Sequence, residues 1–527
     1  MIDFEAINKA VALTQQGQFE AAEEIYHEVL EKNPNDAGVL SLVGLFYVNI
    51  GNFDKASEFL TKACSIKETL GTVSALGFAE YERRDYKKAS EYLEKALSYK
   101  ETADVYDKLI SSLFEIKNYK KAVKFTDKMC EKFPDNLRSK FNRIKALTYS
   151  GKMLEAEKLC VEALKQNPEI PMFWFQLGYL NELIYSDDKK ALQCYEAAAE
   201  LGSKQAYYNI AVSYMKLQDF EKAETYYKKM LEYYPNNNDT ISSLGMCYLK
   251  QKKFKAGYNL FFQRHTPMLA RFSKNPWKVG DKIEDEVVIL CDQGFGDHIQ
   301  FLRYLPFIPA KKIHVASQPA LIDLFKSNYP QFDFIEFSQI DANMQSMLIT
   351  DLAYILGIDF EHIPSSAGYL KSEAADIKSE KLKVGLCWEA GSAGIRTMIN
   401  RTINIRCFAP LIQKENLQIY SLQVEDTLKG CEQFPQMINL GKDFKNFSDT
   451  AKAIMAMDAV VTVDTSVAHL AGALGVKTLL LLPYASDWRW FSDTKTTPWY
   501  DSIKIFKQIN SISWEEPIND IIAELEK

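Results

Sequence analysis

Two short segments hold residue types that could do chemistry. The first reads Gln293, Gly294, Phe295, Gly296, Asp297, His298, directly after an apolar run ending at Cys291. Its glycines permit a tight turn that brings backbone close to a ligand, and the helix that must follow offers free amides. The third glycine of a dinucleotide-binding loop is missing, and an acidic residue at the helix start repels a phosphate while stabilising the helix. Asp297 thus has two readings, a helix cap worth about 1 kcal/mol or a catalytic carboxylate. The second segment reads Asp464, Thr465, Ser466, Val467, Ala468, His469, with Gly472 and Gly475 closing the helix it opens. Thr465 and Ser466 bring hydroxyls and amides to a helix N-terminus, a sound place for a phosphate or diphosphate, and His469 lies one turn inside, within reach of the same anion. The alternative is a cap at Asp464 or Thr465 and a core histidine.

Both segments sit where an apolar strand hands over to a helix. EVVILC (286–291), KIHVAS (312–317) and FDFIEF (332–337) alternate with the helical stretches HIQFLRYLPFI and PALIDLFKSN. After a polar stretch at 371–381 a second series begins, with KVGLCW (383–388), LQIYSLQ (417–423), the thin MINLG, AVVTVD (459–464), the helical TSVAHLAGALG, TLLLLP (478–483) and SIKIFKQ near the end. Fully apolar strands alternating with helices predict parallel sheets covered on both faces, here two in series, with ligands bound outside the strand ends.

The first half follows a different rule. A bulky residue followed three positions later by a small one recurs as Phe19/Ala22, Phe53/Ala56, Tyr86/Ala89, Tyr119/Ala122, Met153/Ala156, Asp188/Ala191, Phe220/Ala223 and Phe254/Gly257, at intervals of 34, 33, 33, 34, 35, 32 and 34. Four residues further stands a residue that fills the same helix face: Tyr26, Leu60, Leu93, Thr126, Cys160, Tyr195, Tyr227 or Phe261. Pro34, Pro134, Pro168 and Pro235 stand where a second helix must stop. Leu42 with Gly44, Leu76 with Gly77, Leu177 with Gly178 and Leu244 with Gly245 mark the first helices. A period of 34 with these signposts resembles tetratricopeptide repeats, about eight over residues 1–265, with Asp188 the weakest signpost. Stacked helix pairs present an extended surface with no chemistry of its own, so the array implies a protein or peptide partner. Tyr207, Tyr208, Asn209, Trp174 and Phe173 either line that surface or pack inside it.

The bulk properties exclude several classes. The chain of 527 residues carries 63 basic and 70 acidic residues, a formal charge of -7, which argues against a dedicated nucleic-acid binder. At 47% hydrophobic and 25% charged it is ordinary globular protein. The nine cysteines are scattered without a CxxC pair or a Cys/His cluster, so reduced core thiols and no metal site are expected. The start lacks the basic and apolar regions of a signal peptide, and the longest apolar runs fall short of the ~20 residues of a spanning helix. A cytoplasmic protein without membrane insertion is expected. No DxD follows an apolar strand, and EDE at 284–286 reads as a solvated turn.

Three blocks carry a second resemblance: GFGDHIQFLRYLP, then KVGLCWEAGS with NRTINIRCFAPL, then VVTVDTSVAHLAGALG with LPYASDWRWF and PWY. Over residues 286 to about 510 the chain resembles GT-B glycosyltransferases of the heptosyltransferase-like family 9, and in layout it is similar to O-linked GlcNAc transferases and to repeat-bearing bacterial flagellin glycosyltransferases. The fold this implies is an all-α superhelical repeat array (1–265) followed by two Rossmann-like lobes with parallel sheets, an acceptor-side lobe at 266–375 and a nucleotide-sugar donor lobe at 376–527. By the same resemblance Asp297 is the general base, flanked by the acceptor-side Gly294, Gly296 and His298. Arg401 faces the donor phosphates, with Arg396 its rival because the loop GSAGIRTMINRT is long. Asp464, Thr465, Ser466 and His469 form the donor loop, and Gln423 and Glu425 contact the nucleoside. The resemblance further implies an inverting, metal-independent transfer, a nucleotide sugar as co-substrate and no other cofactor. Trp488, Trp490, Trp499 and Tyr500 either stack on base or sugar or pack the last lobe.

The function expected is transfer of a sugar to a protein hydroxyl, with the repeats holding the acceptor protein, flagellin among the candidates. Two alternatives stand beside it. One is a transferase acting on lipid or polysaccharide; the other is a scaffold that binds a nucleotide sugar without turning it over.

Overall fold

The computed structural model describes residues 3–263, 267–364, 366–391, 401–424, 429–491, 494–509 and 513–527. The chain forms two compact units, Met1–Ala206 and Tyr207–Lys527. Among the described residues no helix is long and apolar enough to cross a membrane.

The eight bulky or acidic signposts are the first residues of eight helices, from Phe19–Lys32 and Phe53–Ile66 to Phe220–Tyr233 and Phe254–Phe262. Each small residue behind an aromatic is buried, Ala22, Ala56, Ala89 and Ala122 completely. The physical reason lies in the facing helix. A Cβ added at Gly44 would stand 2.6 Å from Leu60 Cγ, and one at Gly77 2.7 Å from Leu93 Cγ. In these units, and where Tyr195 meets Gly178, the bulky residue of the second helix therefore fills the notch left by a glycine of the first. Asn52, Asp85, Asn118, Asp187 and Asp219 cap second helices by accepting a backbone N–H with their side chains. The helices before Pro34, Pro134 and Pro168 stop two residues ahead of the proline, at Lys32, Lys132 and Gln166. The sixth unit keeps its pair although Asp188 replaces the aromatic, and its first helix, Pro171–Tyr185, runs to 15 residues before Ser186 ends it in the left-handed region. Phe173 is buried and the Trp174 indole donates to the Pro168 carbonyl at 2.7 Å, so both serve packing.

The second unit contains the repeat helices from Tyr207 onward and two sheets. The first sheet comprises β1 (Glu286–Leu290), β2 (Lys312–Ala316), β3 (Asp333–Ile335) and β4 (Gln345–Leu348), all parallel, in the order β3-β2-β1-β4. The second comprises β5 (Leu382–Cys387), β6 (Leu417–Ser421), β7 (Ile438–Asn439), β8 (Ala459–Val463), β9 (Thr478–Leu482), β10 (Thr496–Thr497) and β11 (Tyr500–Lys507). Its order is β10-β11-β9-β8-β5-β6-β7, and only the β10/β11 pair is antiparallel. Two parallel sheets in series is what the apolar runs predict. Details differ. FDFIEF shortens to a three-residue strand, β4 and the two-residue β10 have no counterpart among the expected strands, and the helix expected over HIQFLRYLPFI ends at Phe301 and tightens into a 3-10 turn, Leu302–Phe307, around Pro306.

Candidate active site

The turn after β1 places Asp297 in the first turn of the helix Phe295–Phe301, half-buried. Its Oδ2 accepts the Gly294 N–H at 3.1 Å, so the capping role is realised. The two glycines do different work from the expected one. The residue in the left-handed region is Gln293, at φ 69°, while Gly294 has an ordinary φ of -91°. Gly296 is required by close approach, since a Cβ there would lie 2.6 Å from Cδ2 of His469. That contact joins the two sequence segments, because the helix Phe295–Phe301 packs directly on the helix Ser466–Ala473. His298 is buried with Nδ1 3.3 Å from Ser317 Oγ.

The turn after β8 is built as a cap as well. Thr465 Oγ1 accepts the Val467 N–H at 3.2 Å, and Thr465 and Ser466 remain half-buried at the helix start. Asp464 is buried, 3.7 Å from Nη1 of Arg401, and burial pushes its carboxyl above the ordinary value, with Asp487 nearby adding to the shift. His469 takes Tyr500 as partner, Nδ1 to Oη 3.0 Å, and stacks on Trp490 at 5.2 Å between ring centroids. It is a core histidine inside the site. Trp488, Trp490, Trp499 and Tyr500 are all buried, the packing alternative for these rings.

The residue that organises the site is one the sequence reading passed over. Arg489, in the loop after β9, pairs with Asp297 through Nη2 and with Asp487 through Nη1 at 2.8 Å, and its Nε donates to Gln300 Oε1 at 3.0 Å. Burial alone would favour losing its proton, but Asp297 and Asp487 more than reverse that and hold it charged. Burial raises the Asp297 carboxyl, and Arg489 pulls it back. The signal in the sequence is the DWRW motif, whose arginine stands between two tryptophans with an acidic residue two positions before it.

Gln423, after β6, is buried, and its amide is engaged within the site. Oε1 accepts from the Glu389 N–H at 3.0 Å and the Cys387 thiol at 3.2 Å, and Nε2 reaches the Glu389 carbonyl at 3.4 Å. It ties the end of β6 to the end of β5. Glu425 and Arg396 lie outside the described residues. Asp297, Gln423, Asp464 and Arg489 all lie in the turns and loops that follow the C-terminal ends of parallel strands, β1, β6, β8 and β9.

Family models of the tetratricopeptide repeat match residues 13–63 and 205–237. The helical half is a tetratricopeptide repeat array. Protein FlbA of Caulobacter vibrioides is 23% identical over 446 residues, which span 74% of this chain and 73% of that protein. Among solved structures, the C-terminal part of a repeat-containing protein from Cytophaga hutchinsonii is 19% identical, with a TM-score of 0.35, over 45% of this chain and 99% of that one. A tetratricopeptide repeat protein from Parabacteroides merdae is 17% identical, with a TM-score of 0.40, over 46% of this chain and 97% of that one. Tetratricopeptide repeats present surfaces for protein partners.

The two buried histidines give the site a defined acid response. Burial lowers His298 to about 4 and His469 to about 3. In the unfolded chain each protonates near its ordinary value of about 6.5, so below that pH the unfolded chain binds more protons than the folded one. Stability is therefore expected to fall as pH drops from 6.5 toward the folded values, by up to about 1.4 kcal/mol per pH unit for each histidine. The raised carboxyls of Asp297 and Asp464 act in the opposite direction. Urea midpoints at pH 7 and 5 for wild type and His298→Asn separate the two, and the variant should lose about half of the histidine-linked slope.

Proposed function

We propose that the chain is a glycosyltransferase that moves a sugar from a nucleotide-sugar donor to a hydroxyl of a protein held by the tetratricopeptide repeats. The observation that carries the reading is the meeting of the Asp297 turn and the Asp464–His469 turn at the ends of β1 and β8, with Arg489 bound to Asp297 beside them. Two parallel sheets in series with their strand ends facing one site is the arrangement a GT-B transferase uses, and the sequence resemblance falls on these same turns. Breaking a sugar–phosphate bond leaves negative charge on the departing nucleotide. Arg401 and Arg489, with the positive end of the helix Ser466–Ala473, are the groups that would stabilise it without a metal. Asp297 is the base for the acceptor hydroxyl in a single, inverting displacement. Donor phosphates would compete for Arg489 and so release an Asp297 oxygen for that hydroxyl. Flagellin is the acceptor to try first, and the cytoplasm, where nucleotide sugars are made, is the compartment proposed.

A thermal-shift series on the full chain with UDP, GDP, ADP and CMP and their common sugars tests the donor site. One nucleotide should raise the melting temperature by mass action. Arg401→Ala should weaken that nucleotide about 10- to 100-fold, the value of a charge-assisted bond to phosphate. No shift with any of the four nucleotides rejects the donor site.

A further inference from the structure

The loop Tyr484–Phe491 carries Asp487 and Arg489, and the last two repeats grip it along its length. Lys250, the final residue of the repeat helix Asn238–Lys250, is buried. Its ammonium donates to the Asp487 carbonyl at 2.9 Å and to the Ser486 carbonyl and hydroxyl at 3.0 Å each. Gln218, in the turn before the helix Phe220–Tyr233, donates from Nε2 to the Tyr484 carbonyl at 3.1 Å. Tyr258 and Phe254, from the last repeat helix, meet Trp488 and Phe491 edge-on. Burying an ammonium is costly unless its donors are satisfied, and here three acceptors from one loop meet its three N–H groups. Packing one helix on the next needs no charge at this place; holding the loop does.

From the loop the contacts continue into the site. The Asp487 carboxylate accepts from the Arg489 N–H at 3.0 Å and from Nη1 at 2.8 Å, Arg489 Nη2 holds Asp297, and Asp297 caps Gly294. We propose that Lys250 is a positioning residue: through Asp487 and Arg489 it sets the placement of Asp297 and so couples the last repeat to the cleft. The link itself is independent of the transferase reading, and only what Asp297 does there rests on it. A protein segment that shifts the helix Asn238–Lys250 would thereby be sensed at Asp297.

Hydrogen exchange on the full chain, without added donor, tests the link. Lys250→Met should speed exchange about tenfold or more in two segments, 484–491 and 294–301, which stand far apart in sequence, while amides of β5 and β8 stay unchanged. Loosening confined to 484–491, no change in either segment, or loosening spread over the whole second unit would overturn the proposal. If Lys250→Met does not fold, Lys250→Gln, which keeps one donor group, is held to the same criterion with a smaller rise in both segments. Where transfer is measurable, Lys250→Met should lower kcat by more than it changes the donor KM. A wild-type protein without transfer counts against the transferase reading alone, since exchange reads the link by itself.

Discussion

Replacing Arg489 with methionine is expected to lower the stability of the second unit by about 3–5 kcal/mol, the cost of removing one partner from a buried ion cluster. Methionine keeps the bulk that packs over the Trp488 ring, where the guanidinium now sits 4.8 Å from the centroid, but leaves Asp297 and Asp487 without the guanidinium that both are paired with. Urea unfolding followed by tryptophan fluorescence reads this directly, because Trp174 alone among the seven tryptophans lies in the first unit. The double variant Arg489→Met with Asp297→Asn should recover part of the loss, since one of the two stranded charges is then gone. A loss below about 1 kcal/mol in the single variant would mean that the pair is solvated and contributes like a surface bridge.

Asp297→Asn carries the largest expected effect on activity. Asparagine keeps the shape and can still accept the Gly294 N–H, so the helix start survives, but it cannot take a proton. Transfer to the acceptor should fall by about 10²- to 10⁴-fold, the usual contribution of a positioned general base. Donor binding should be kept or tighten a few-fold, because the charge that competes with the donor phosphates for Arg489 is gone while Arg401 and the start of the helix Ser466–Ala473 keep their groups. Intact-mass analysis of flagellin incubated with enzyme and donor gives the readout. Transfer that persists in Asp297→Asn would remove Asp297 from the chemistry and leave it as the helix cap that its bond to Gly294 already makes it.

The acid response and the arginine cluster have one origin. Burial keeps the His469 ring neutral, and the nearby charges of Arg489 and Arg303 add to the effect. The same burial strengthens the Asp297–Arg489 pair beyond what a surface pair contributes.

The sequence by itself determined the repeat half nearly residue for residue. Small-to-bulky spacing on a helix face and a proline after four of the second helices are local rules, and Ala22, Leu60, Gly77 and Leu93 obey the first within one helix pair. It also determined two parallel sheets, because strands buried on both faces must be apolar throughout, as β8 and β9 are. The positions of the two turns at strand ends followed from the same reading. What only the tertiary structure decided is which distant groups meet there. Asp297 and Arg489 are 192 residues apart, and no spacing rule connects an acid after β1 with an arginine after β9. Lys250 was invisible for the same reason, being one lysine in a lysine-rich repeat until the loop after β9 folds over it. Helix and strand patterns record which face a residue turns inward; the partner it meets depends on how strands from two sheets and the last repeats converge.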